Sequence, residues 1–183
     1  MTEQLRHTHK FLKGSVLCLL LLALAPFLPV NVLSVEMLEA PEAPQSLENV
    51  VMQTAVANGG AYRTTYIHSV QLTPVIDEYR VVGGKIWGWE ERVQSHNAGL
   101  PFEAPRNGRF LLSPPWMIVQ GGRQAQARIA YRVGNDHLGK NTWSLPSLGE
   151  IEAYQFFPGQ RLFFAANIRA LKDARPIDKH MNN

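Results

Sequence analysis

Three ionisable residues sit where a β-rich chain normally places apolar ones: His68, Asp77 and Glu90. Tyr66, His68 and Val70 share one parity, and Val75, Asp77, Tyr79 and Val81 share another. Side chains alternate across a strand, so His68 and Asp77 point where their hydrophobic neighbours point. If Gln71 to Pro74 form a four-residue hairpin loop, Val70 faces Val75, His68 faces Asp77 and Tyr66 faces Tyr79. Gly83-Gly84 has the composition of a two-residue turn, because glycine accepts the positive φ such turns require. That register sets Val81 against Ile86, Tyr79 against Gly88 and Asp77 against Glu90. His68, Asp77 and Glu90 then form one row across three strands, close enough for their heads to meet a single solute or cation. A one-residue slip would exchange Glu90 for Glu91. A His–Asp pair on a sheet also serves simply to fix strand register.

Other candidate groups are weaker. Ser69 points away from His68 by strand parity, and no G-x-S-x-G elbow surrounds it, so no hydrolase is expected. Ser95-His96-Asn97-Ala98-Gly99-Leu100-Pro101 reads as a loop that presents backbone N–H groups and His96 to an anion, or as a plain connection between sheets that uses Gly99 for geometry. Trp87 and Trp89 alternate away from the expected row, and read either as core or as an aromatic docking patch. No metal site, cofactor or catalytic residue is expected.

The elements that must position these groups are short strands. Val50 to Ala57, Ala61 to Val70, Val75 to Val82, Lys85 to Val93, Arg109 to Leu112, Trp116 to Val119, Ala127 to Val133 and Arg161 to Ile168 are separated by Gly, Pro and Asn turn signals. The pattern predicts an all-β fold, a small antiparallel sandwich or open barrel. Leu148 to Phe157 comes nearest to a helical period.

Ahead of the strands, Arg6, Lys10 and Lys13 precede an apolar run that reaches Val35. Residues 15–35 are long enough as a helix to cross a bilayer, with the basic residues inside. The segment reads as a membrane anchor or as a signal cut after Ser34, although Leu33 to Leu38 also reads as a first strand. The expected organisation is a basic cytoplasmic stretch 1–14, a transmembrane or signal segment 15–35, an extracytoplasmic β-domain 36–168 and a polar, frayed tail 169–183. The net charge of +3 comes without a basic stripe or any nucleic-acid motif, so nucleic acid is not an expected partner. The sole cysteine, Cys18, lies inside the apolar run, which rules out disulfides within the exported portion.

The motif H-S-V-x-x-T-P-V (His68 to Val75), the acidic residue after it and the Ser95 to Pro101 loop together resemble a bacterial family, domain of unknown function eighteen-fifty. The resemblance covers roughly Asn49 to Ile168; the family usually shows Glu where this chain has Asp77. Members are commonly encoded beside TRAP transporters of the TAXI class. The resemblance implies a small extracytoplasmic domain that works with a solute transporter; taken with the apolar N-terminal segment, the expectation is a single-pass accessory subunit of such a transporter at the inner membrane. Its domain would lie on the periplasmic side, in contact with the TAXI-type solute-binding protein or the TRAP membrane subunits.

Overall fold

A computed structural model describes residues 19, 21–37, 49–95, 103–122 and 125–179. The fold is two antiparallel sheets facing one another, without barrel closure. The strands are β1 (Pro29–Met37), β2 (Val50–Val56), β3 (Gly60–Ile67), β4 (Pro74–Val82), β5 (Lys85–Val93), β6 (Gly108–Ser113), β7 (Trp116–Gly121), β8 (Ala125–Gln126), β9 (Arg128–Arg132), β10 (Thr142–Leu145), β11 (Gly149–Ile151), β12 (Arg161–Ala170) and β13 (Ile177–Asp178). A five-stranded sheet runs β13-β2-β1-β12-β9. An eight-stranded sheet runs β11-β10-β3-β4-β5-β7-β6, with β8 paired to β5. The segment that most nearly fitted a helix holds only one turn of it, α1 (Ala153–Phe156).

The main core fills the space between the sheets, and a smaller cluster gathers Val75 and Val93 with Tyr66 and Met117. Leu33, Val35, Met52, Leu162 and Phe164 from the smaller sheet meet Tyr62, Val81, Ile86 and Trp143 from the larger. Aromatic rings set the spacing: Tyr62 stacks on Tyr79 at 4.9 Å between centroids, and Phe164 meets Trp143 edge-on at 5.1 Å. Offset and edge-to-face pairs of this kind add to the burial of apolar area. Trp143 is fully buried on β10, a strand the sequence pattern did not reveal.

The N-terminal expectation needs correcting in its second half. Residues 29–35 are not helix: they belong to β1, which lies in the middle of the five-stranded sheet between β2 and β12. Val32, Leu33 and Val35 are each 1% exposed. A cut after Ser34 would therefore sever a central strand of this fold. Residues 15–18 and 20 lie outside the described residues; residues 21–24 are helical and pass into a 3₁₀ turn, Ala25–Phe27. No helix among the described residues is long and apolar enough to cross a membrane.

The C-terminal expectation also changes. Residues 169–179 are part of the fold: Ala174 is buried, β13 pairs with β2, and the Gln53 side-chain amide donates to the carbonyls of Asp173 and Arg175.

Both turns that frame β4 are informative. Gly83 and Gly84 adopt φ +57° and +70°, as a two-residue turn requires, and Val81 faces Ile86 as expected. The preceding loop is longer than expected. Ile67 pairs with Pro74, leaving His68 to Thr73 as a six-residue connection.

An arginine–glutamate row beside two exposed tryptophans

The longer loop removes His68 from the expected row. In β3–β4, Asp77 faces Thr64 and Tyr79 faces Tyr62, so the hairpin is displaced by four residues from the predicted pairing. An even displacement keeps side-chain parity, so Asp77 stays on the inner face but loses His68 as its neighbour. His68 instead organises its own loop. Its Nδ1 accepts the N–H groups of Val70 and Gln71, its N–H donates to the Thr73 carbonyl, and its carbonyl accepts the Leu72 N–H. Val70 is 67% exposed rather than core, and Ser69 is exposed in the same loop. His96 and Gly99 lie outside the described residues.

This placement carries an expected result. His68→Ala should cost about 1 kcal/mol, the ordinary net worth of such hydrogen bonds, and its effect should add to that of Asp77→Ala. Urea unfolding of the two single variants and the double variant measures this directly. A coupling above about 1 kcal/mol would contradict the observed register.

Glu90 departs from the row for a different reason. The β4–β5 register shifts between Glu78 and Tyr79: Tyr79 faces Gly88 as predicted, yet Glu78 faces Glu90 and Asp77 faces Glu91. An extra residue on β5 at Trp89 creates a bulge, which turns every later side chain to the other face. Two opposed acid pairs result, one on each face of the same two strands. Asp77 and Glu91 face inward near Tyr66, whose phenol is pushed up to about 12 by burial and by those two charges. Among the described residues, no three His, Cys, Asp or Glu side chains gather in a metal-binding group.

The outward pair is held by arginines. Arg63 faces Glu78, Glu78 faces Glu90, Glu90 faces Gln120, and Gln120 faces Arg109, giving a polar row across β3, β4, β5, β7 and β6. Glu78 and Glu90 are each only 6% exposed. Arg63 binds Glu78 at 2.9 Å and Arg80 binds it at 2.5 Å. Arg92 and the Gln120 amide both donate to Glu90, and Arg109 Nε donates to the Gln120 side-chain carbonyl at 2.7 Å. The carboxylates are thus sheathed, while their arginines are between 38% and 55% exposed. Solvent meets a cationic surface over buried acid.

Burial pushes the Glu90 carboxyl up, but the hydrogen bonds from Gln120 and Arg92 and the charges of Arg92 and Arg63 outweigh it and hold the group below its usual value. A carboxylate depressed in the folded state stabilises the fold above its unfolded pKa, near ~4.3, and that contribution is lost as pH falls through the folded value. Stability should therefore decline more steeply below about pH 4.3 in the native chain than in Glu90→Gln. Urea midpoints measured at stepwise lower pH check it; parallel curves would contradict it.

Next to this row lies an open cleft of about 410 Å³, lined by Trp87, Trp89, Asn107, Arg109 and Gln120 over a glycine floor. Trp87 and Trp89 are 42% and 43% exposed, so they are not core residues. Trp87 faces Arg80 and so shares the outer face with Glu78, and the bulge brings Glu90 onto that same face, where strict alternation had set it opposite the tryptophans. Trp87 still pairs with β8 and Glu90 already pairs with β7, so Gly88 and Trp89 fall between the two ladders, where the cleft opens. The Arg80 guanidinium stands 5.9 Å from the Trp89 ring centroid, within cation–π range.

Residues 63–147 match a family model described as Domain of unknown function (DUF1850). This is the family that the His68 to Val75 motif resembles. The DUF1850 match starts on β3 and ends after β10, so it contains the whole arginine–glutamate row and both exposed tryptophans. β1, β2 and β12, the middle of the five-stranded sheet, lie outside it. Searches of curated proteins and of solved structures return no match.

Proposed function

We propose that this chain is a membrane-tethered, extracytoplasmic accessory subunit of a TAXI-class TRAP solute transporter, acting through binding and not catalysis. Its partners would be the TAXI-type solute-binding protein or the TRAP membrane subunits. The observation that carries the reading is the exposed Trp87–Trp89 pair beside a surface of arginines whose acids are buried. Solvent-exposed indoles next to arginine are the residue types that dominate binding energy at protein interfaces. The family that residues 63–147 match is the one whose resemblance implies such a role, and the apolar N-terminal run fits the tether. Affinity purification of the full chain from its native membranes tests it. Transporter subunits should co-purify with the native chain and be lost with Trp87→Ala/Trp89→Ala, at a cost of about 2 kcal/mol or more per anchor. Equal recovery with the folded double variant would refute the role of this face.

The cleft volume supports a second reading, in which a small solute binds there rather than at the His68–Asp77–Glu90 row first expected. Retention of a radiolabelled solute by the purified chain, lost in Trp89→Ala, would favour it.

A further inference from the structure

The apolar run enters the domain without a spacer. Helical residues 21–24 lead through Ala25–Phe27 straight into β1, and Leu24, Phe27 and Leu28 are 56%, 61% and 56% exposed. A tether that ends at a central strand holds one end of the sandwich at the point where the tether leaves the bilayer.

That end has the surface such a position needs. The turn after β12 packs on the entering chain: the Leu171 N–H donates to the Leu28 carbonyl at 2.9 Å, and Lys172 Nζ lies 4.8 Å from the Phe27 ring centroid. Ile168 and Leu171 are 56% and 43% exposed there. The β4–β5 turn shares the same end. The Gly84 N–H donates to the Asn31 side-chain carbonyl at 2.7 Å, and a Cβ on Gly84 would lie 3.1 Å from the Ile168 side chain. This turn adds Val82, 39% exposed, and the exposed Lys85. Three separate chain segments therefore present apolar side chains with lysines among them. The charged residues carried by these segments are Lys85, Arg169, Lys172 and Asp173, and the Arg80 guanidinium reaches the Gly59 carbonyl at the same end, a cationic balance. Apolar side chains interspersed with lysine suit a bilayer interface, where the rings and aliphatic groups enter the headgroup region and the ammonium groups reach the lipid phosphates.

We propose that this end of the sandwich, formed by Phe27, Leu28, Val82, Ile168, Leu171 and Lys172, rests on the lipid surface, so that the domain is held against the membrane and not on a free stalk. The proposal depends on the tether reading above, and goes beyond it by fixing which surface meets lipid. Trp87 and Trp89, near the start of β5, then stand close to the bilayer and face sideways along it.

The test uses the full chain in a Cys18→Ser background, reconstituted in vesicles of phosphatidylcholine and phosphatidylglycerol and recovered by flotation. An environment-sensitive fluorophore is placed on Leu171→Cys, or on Leu112→Cys as a distant control. Leu112 pairs with Met117, which pairs with Val93, and Val93 lies about 26 Å along β5 from Lys85 at ~3.3 Å per residue. The label at 171 should be blue-shifted, quenched by a spin label on the upper acyl chain, and protected several-fold from aqueous iodide relative to the label at 112. Equal iodide access at the two positions in floated protein would overturn the seating while leaving the tether intact. Protein that fails to float would overturn both.

Discussion

A chain that begins at Val35 is expected not to fold, whereas one that begins at Phe27 is expected to fold cooperatively. The shorter chain loses six residues of β1, including the buried Val32 and Leu33, and with them the ladder bonds those residues make to both β2 and β12. Two fully buried aliphatic side chains are worth about 1.5–3 kcal/mol each, and unpaired strands on either side leave buried backbone groups unsatisfied. The total approaches the ~5–15 kcal/mol that holds an ordinary domain together. Circular dichroism and thermal unfolding of the two chains decide the matter; a cooperative transition in the shorter chain would refute the placement of β1. The same result bears on processing, because it excludes a functional product cut after Ser34.

The largest effect on the outer face is expected from Glu78 and Glu90 together. Removing either charge alone loses its arginine hydrogen bonds but relieves the repulsion between two carboxylates that face each other across β4 and β5. Hydrogen bonds to charged groups contribute about 1.5–3 kcal/mol, and the repulsion at this spacing about 1 kcal/mol after screening. The repulsion can be relieved only once. Glu78→Gln with Glu90→Gln should therefore destabilise by more than the sum of the two single changes, by roughly 1 kcal/mol. A double variant that costs less than the sum would show that the two acids share a stabilising proton or ligand instead of repelling.

Much of the fold is written in the sequence because β-strands announce themselves by alternation and glycine turns. Lys85 to Val93 has the limits expected of it, and Gly83-Gly84 forms the expected turn with Tyr79 against Gly88. The misplaced elements have physical reasons. β1 is buried on both faces, so it reads as a continuous apolar run that cannot be separated by periodicity from the apolar helix before it. Pro26 and Pro29 were the available marks of that boundary. The His68 pairing failed because hairpin register depends on loop length, and a six-residue loop stapled by the His68 ring has no signature in composition.

The bulge at Trp89, by contrast, was legible. Ile86 and Val93 must both face the core, and they are seven residues apart, an odd number that strict alternation cannot satisfy. Following that mismatch would have put Glu91 inward with Asp77 and sent Glu90 outward to Glu78. It would also have brought Arg92 onto the outer face, beside Glu90. The outer row itself was hidden because Glu78 and the arginines around it looked like ordinary solvent-facing positions; only their pairing across five strands makes them a site.

The proposed role of the Trp87–Trp89 face in a solute transporter is tested most directly by uptake. Uptake should be measured in a strain that lacks the chain, complemented either by the native form or by Trp87→Ala/Trp89→Ala at equal membrane abundance. The native form should restore uptake of the transporter's solute, and the double variant should leave it near the level of the deletion strain. Full uptake in the deletion strain, or full restoration by the double variant, would refute that role.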